Sequence, residues 1–170
     1  MRASIKLLGV PDDINSSFMR GSSAAPPLIR EALYSASSNL FSESGLDLDQ
    51  IVIWEDLGDL EFSGEVAVEN FKKIKTFVKD ILASDQKIVS LGGDHSVSWP
   101  ILDAHLDAWD TLDILHIDAH PDLYDSLLDN KLSHASPFAR VMETGRVNRL
   151  VQIGIRTLNK HQREQAEKFE

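Results

Sequence analysis

The sequence predicts an α/β fold in three layers, α/β/α, built around a mostly parallel sheet. Two observations carry this expectation. Five short apolar runs alternate with segments of helical periodicity, the order of βαβ units. The polar clusters GGDHS (residues 92–96) and DAHPD (residues 118–122) directly follow two of those runs, where open parallel sheets place their ligand sites.

Residues 4–10 (SIKLLGV) are an apolar run closed by Pro11 and two aspartates, a strand signature. Residues 12–27 hold Gly21, Pro26, Pro27 and four serines and read as a long irregular loop. A helix is expected to open near Pro27, since proline suits a first turn, with Leu28, Ile29, Ala32 and Leu33 as its apolar stripe. Residues 50–54 (QIVIW) are the second strand. The acidic loop EDLGDLE follows, with Asp56 and Asp59 either lining a rim or ending the strand. Residues 65–83 give the clearest helix, because Ala67, Phe71, Ile74, Phe77, Val78, Ile81 and Leu82 fall at helical spacing between lysines. Residues 87–91 (KIVSL) are the third strand, stopped by Gly92-Gly93. A helix follows Ser98 with Pro100 in its first turn. Residues 113–117 are the fourth strand, residues 135–144 a helix ended by Gly145, residues 150–155 the fifth strand, and residues 159–170 a polar helix. Such short continuous apolar strands suit a sheet buried on both faces.

Composition narrows the partners. Hydrophobic residues are 42% and charged residues 26% of 170 positions, which fits one globular domain with its own core. A formal net charge of −10 argues against nucleic acid or an anionic membrane. Without cysteine, disulfides and thiolate metal sites are excluded, and a cytoplasmic home is the default expectation. No apolar run approaches the ~20 residues of a membrane span. The N-terminus reads as a strand rather than a signal peptide.

The stretch IDAHPDLYD, residues 117–125, places charge straight after an apolar strand. If residues 118–122 stay extended, Asp118, His120 and Asp122 point the same way. Buried and unpaired, three such side chains would be costly, and a cation offsets that cost. Two carboxylates and an imidazole suit Mn²⁺, with Zn²⁺ or Fe²⁺ as options. The plainer reading is that they cap the next helix or lie solvated in a loop. His95, after Gly92-Gly93, is a fourth ligand candidate. His134 is either a proton carrier near the metal or a histidine in a helix-cap region. His116 reads as a core or supporting histidine, and His105 and His161 as exposed helix residues.

Taken together, LGGDHSVSWP, ILHIDAHPDLYD, SHASPFARVMETG and VQIGIRTLNKHQREQ resemble the ureohydrolase family, the arginases, agmatinases and their relatives. Within that family the sequence resembles the plant-type arginases and the agmatinase-like branch, with GVPDDINSSFMRGSSAAPPLIREAL and DLGDL in support. The resemblance implies one arginase-like domain over residues 1–170 that is the N-terminal portion of the family's fold. It implies hydrolysis of a guanidino substrate, arginine ahead of agmatine, with release of urea at a pair of Mn²⁺ ions. His95 would bind one ion, His120 the other, Asp118 would bridge both, Asp122 would be a further ligand of the first, and His134 would transfer protons. The loop of residues 123–133 would face the far end of the substrate. There neutral donors such as Asn130, or Lys131, suit an α-carboxylate and Asp125 or Asp129 suits an amine, so these residues leave the substrate open. The family also carries a later strand ending in Asp-x-Asp, set between the third and fourth strands, which this sequence does not reach. A gap with open strand edges is therefore expected at that place. The implied assembly is a homo-oligomer, a trimer or hexamer. The competing expectation is a catalytically incomplete relative acting as a binding or interaction module.

Overall fold

The computed structural model describes residues 2–169. Strand β1 (Ala3–Val10) lies between β2 (Val52–Asp59) and β3 (Lys87–Gly92), all parallel. Strands β4 (Leu112–Ile117) and β5 (Val147–Ile153) form a second parallel pair. Among the described residues no ladder joins β3 to β4, so the expected gap is present and the strands fall into two sheets. The helices are α1 (Ala25–Leu33), α2 (Leu48–Ile51), α3 (Ala67–Leu82), α4 (Ser98–Ala108), α5 (Pro137–Met142) and α6 (Lys160–Lys168). The α/β class with parallel sheets is as the sequence predicts.

Side-chain alternation along β1 assigns the layers. Leu8 and Val10 face α3 and α4 and build one core with Phe71, Ile74, Val78, Leu82, Val97 and Ala104. Leu7 and Gly9 face the other way, where Arg30 of α1 approaches the Gly9 backbone. Both faces of the central strand β1 are thus covered, while Val89 of β3, the register partner of Leu7, stays 39% exposed. A second core joins Leu106 of α4 to Phe138 and Val141 of α5, under Ile114 and Leu150 of the β4–β5 pair.

Several boundaries depart from the sequence reading, each for a local reason. The loop over residues 12–27 gives way to helix early, with a 3-10 turn at Ser22–Ala24 and α1 from Ala25. The predicted stripe of α1 is not buried, since Leu28 and Ile29 are 60% and 44% exposed. That helix is tied by Arg30 instead, which pairs with Asp56 and Asp59 and donates to the Gly58 carbonyl. Gln50 and Ile51 sit in α2 and not in a strand, because the Asp47 side chain accepts from Asp49 N and starts a helical turn. The second strand then runs through the acidic segment to Asp59, where Arg30 neutralises the carboxylates. The helix expected over residues 135–144 is the shorter α5, and the fifth strand starts at Val147 and stops at Ile153. His105 and His161 are half-buried rather than exposed, stacked on Trp109 and Tyr124. Among the described residues no helix is long and apolar enough to cross a membrane.

Candidate metal centre

The loops after β1, β3 and β4 meet beyond the carboxyl ends of the strands. Gly93 N donates to Val10 O and Asp94 N to Asp12 O, both at 2.9 Å. A Cβ on Gly93 would lie 2.1 Å from the Asp12 carbonyl oxygen, so this close pairing requires glycine. Asp94 then caps the turn His95–Val97 by accepting from Ser96 N, and also accepts from Ser16 Oγ at 3.0 Å. His95 is held by this arrangement at the lip of the first sheet.

Asp118 follows β4 directly, and its N–H extends the β4–β5 ladder by donating to Ile153 O. The backbone then bends. The Asp118 carboxylate accepts from His120 N at 2.8 Å, and Asp122 sits in the left-handed region at φ 48. The extended geometry expected for residues 118–122 is therefore absent, and Asp118, His120 and Asp122 do not project from one face. The turn instead sends Asp122 inward to His95, with Nδ1 to Oδ2 at 2.6 Å, and leaves the His120 side chain mostly in solvent.

Asp118 presents its two oxygens to different histidines. Oδ2 lies 3.5 Å from both His95 Nδ1 and His116 Nε2, whereas Oδ1 lies 3.3 Å from His120 Nδ1. His95, His116 and Asp118 bring donor atoms within 4.8 Å of one another, close enough to hold a metal ion. Burial pulls the His95 imidazole down, but the hydrogen bond and charge of Asp122, then Asp118 and Asp94, hold its pKa above the ordinary histidine value. Burial pushes the Asp118 carboxyl up, yet the His120 backbone N–H and the nearby imidazoles hold it below the usual range. Burial, then the charge of His95, pushes His116 down.

His95, Asp118, His120, Asp122 and His134 line one cavity of about 300 Å³, walled by Tyr124, Thr157 and Gln162. His134 Nδ1 lies 3.1 Å from Asn15 O, a carbonyl that can only accept, so this nitrogen carries the proton and Nε2 is bare in the neutral ring. Asn130 and Asp125 are not among the residues lining this cavity. Asn130 donates to Asn15 Oδ1 and accepts from Leu132 N, while Asp125 accepts from Ser126 N and stands 3.0 Å from His161 Nε2. Sequence reasoning missed Asn15 and Gln162, which join the site from a loop and a helix with no spacing signal, whereas Tyr124 comes from the loop of residues 123–133 expected to face the substrate. The place of His116 was detectable, since it lies two residues before Asp118 and shares its face of the strand.

Parallel strands with imidazoles and carboxylates converging beyond their carboxyl ends define an α/β protein with a candidate divalent-cation site. The chain belongs to the Arginase family, whose model matches residues 3–170. It is 42% identical over 99% of its length to "Arginase 1, mitochondrial" of Oryza sativa, covering 52% of that protein. It is 34% identical over 93% of its length to an N(1)-aminopropylagmatine ureohydrolase of Thermus thermophilus, covering 53% of it. The solved arginase of Medicago truncatula superposes with a TM-score of 0.89 at 40% identity, over 98% of this chain and 55% of that one. The chain spans about half the length of the curated relatives it matches.

Proposed function

We propose that this chain carries the cation-binding and proton-handling part of a Mn²⁺-dependent ureohydrolase that hydrolyses a guanidino compound and releases urea, with arginine ahead of agmatine as substrate. The observation that supports this most is the sharing of Asp118, one oxygen toward His95 and the other toward His120. Such a carboxylate suits a bridge between two cations, and the donor set of two imidazoles and two carboxylates without sulfur suits Mn²⁺. His95 and Asp122 would serve one ion and His120 the other. When bound, the cations supply an acidified water and polarise the substrate.

The remaining steps fall to the chain's own residues. His134, fixed by Asn15 O, can take a proton at Nε2 and deliver it to the leaving amine. Tyr124 and Gln162 line the cavity beside these groups. Asn130 has one amide hydrogen beyond its bond to Asn15 for an α-carboxylate, and Asp125 offers charge for an amine. The reading extends to a homo-oligomer, a trimer or hexamer, and to the cytoplasm, although the rice relative is named mitochondrial.

One observation favours a second reading. Among the described residues the site straddles two sheets that no ladder joins, a scaffold that suits binding without turnover. Calorimetric titration of Mn²⁺ into the chain, followed by urea assays with arginine and agmatine, separates the two. Binding with urea from arginine supports the first reading. Binding without urea from either substrate leaves the second, and no binding removes the metal site itself.

A further inference from the structure

We propose that Gln152 and His116 form a positioning pair for the Asp118 carboxylate, with His116 donating a hydrogen to Asp118 and not serving as a metal ligand. This rests on the metal-site reading above and concerns residues to which that reading gives no role.

His116 is buried and pairs across the ladder with Gln152 of β5. Its ring packs against Phe138 with centroids 4.0 Å apart. The side-chain amide of Gln152 touches two groups, Pro121 O at 2.7 Å and His116 Nδ1 at 2.9 Å, through its Nε2 atom. The carbonyl of Pro121 can only accept, so the Gln152 atom facing it is the nitrogen and not the oxygen. That nitrogen has two hydrogens, one for each partner. His116 Nδ1 is therefore an acceptor, and the proton of the neutral ring is on Nε2.

Nε2 has no hydrogen-bond partner, is shut off from solvent, and lies 3.5 Å from Asp118 Oδ2. It is the donor aimed at the carboxylate oxygen that also faces His95. At that separation the N–H and the oxygen face each other just beyond normal hydrogen-bond length, so a shift of a few tenths of an ångström by either side chain closes the bond.

Distance alone would admit His116 as a ligand, since His95, His116 and Asp118 form a compact group. Hydrogen bonding decides otherwise. A cation on Nε2 needs the proton on Nδ1, and that N–H would face the Gln152 N–H. Turning the amide over would set its oxygen against the Pro121 oxygen at about the same 2.7 Å. Backbone atoms outside the cluster thus assign His116 to Asp118. This is the arrangement in which outer partners fix a metal-binding side chain.

The test uses the wild-type chain and needs no variant to fold. Long-range ¹H–¹⁵N imidazole spectra are recorded without metal and with Zn²⁺, a diamagnetic probe. The expected result is His116 protonated at Nε2 in both states while the His95 and His120 resonances move. A His116 Nε2 resonance that shifts to a metal-bound position, or a bare Nε2 before metal is added, overturns the proposal and leaves the metal reading intact. No shift in any histidine overturns both. In a second measurement His116→Leu weakens Mn²⁺ binding about 10-fold or more, whereas His116→Gln, which keeps an N–H near the same place, stays within about 3-fold. Equal losses in both variants would also overturn it. Gln152→Leu, which removes the donor facing His116 Nδ1, is expected to spread the His116 proton over both ring nitrogens and to weaken Mn²⁺ about 10-fold. An unchanged tautomer there contradicts the pairing.

Discussion

The two sheets of this molecule are both parallel and both apolar, yet they are finished differently. Around β1 the two faces are covered, with Leu7 turned one way and Leu8 and Val10 the other, and all three are buried. In the β4–β5 pair only the face carrying Ile114, Leu150 and His116 is covered. Its other face, made by the register pairs Leu115–Val151 and Ile117–Ile153, is open, with the two β4 residues 62% and 74% exposed. Strand composition therefore reports the capacity for burial, while the helices actually present decide whether it is used.

Substitutions on the two sheets should break or sharpen this contrast. The largest effect is expected for Leu8→Ala, which opens a cavity at the doubly covered strand β1 and should cost about 2–5 kcal/mol in denaturant unfolding. A loss below about 1 kcal/mol would mean that the first sheet is no better packed than the second. Next comes Asp94→Ala, which leaves Ser96 N and Ser16 Oγ without their acceptor and should cost about 1–2 kcal/mol by the same measurement.

A smaller effect is expected where α3 meets α4. Asp107 pairs with Lys75 at 3.3 Å and Lys79 at 3.1 Å, and the Lys79 hydrogen bond, only partly opposed by burial, holds its pKa below the ordinary value. A carboxylate whose folded pKa is lowered contributes stability above its unfolded pKa, which is lost as pH falls through the folded value. Asp107→Asn should thus cost about 0.2–1 kcal/mol at pH 7 and nothing once both forms are protonated, well below pH 4. A cost unchanged at low pH would show that packing, not charge, is at work. The smallest effect is expected for Ile117→Thr on the open face, within about 0.5 kcal/mol of wild type. A large loss there would show that this face is covered in solution.

Much of the fold was legible in the sequence because periodicity and strand-ending glycines are local signals. The stripe of α3 and the stop at Gly92-Gly93 needed no tertiary information. The α1 stripe failed because Arg30 reaches across to Asp56 and Asp59, a contact 26 and 29 residues away along the chain. The candidate site was legible as a set of residues, since His95, Asp118, His120, Asp122 and His134 share one cavity. Its geometry was not. Period-two reasoning placed three side chains on one face, and it could not foresee that the Asp118 carboxylate captures His120 N and turns the chain.

Within the described residues, the way the two sheets meet at the candidate site has a mechanical side as well. His95 is fastened to one sheet and Asp118 to the other, and among the described residues no backbone ladder crosses between them. Their separation is set by side chains and by the helices that span the seam, so it can change without breaking a strand pairing. A cation gripped from both sides would act as a rivet. The free energy that such a rivet adds grows with ion concentration as RT ln(1 + [L]/Kd), so the hold between the two sheets would strengthen with the ion supply around them.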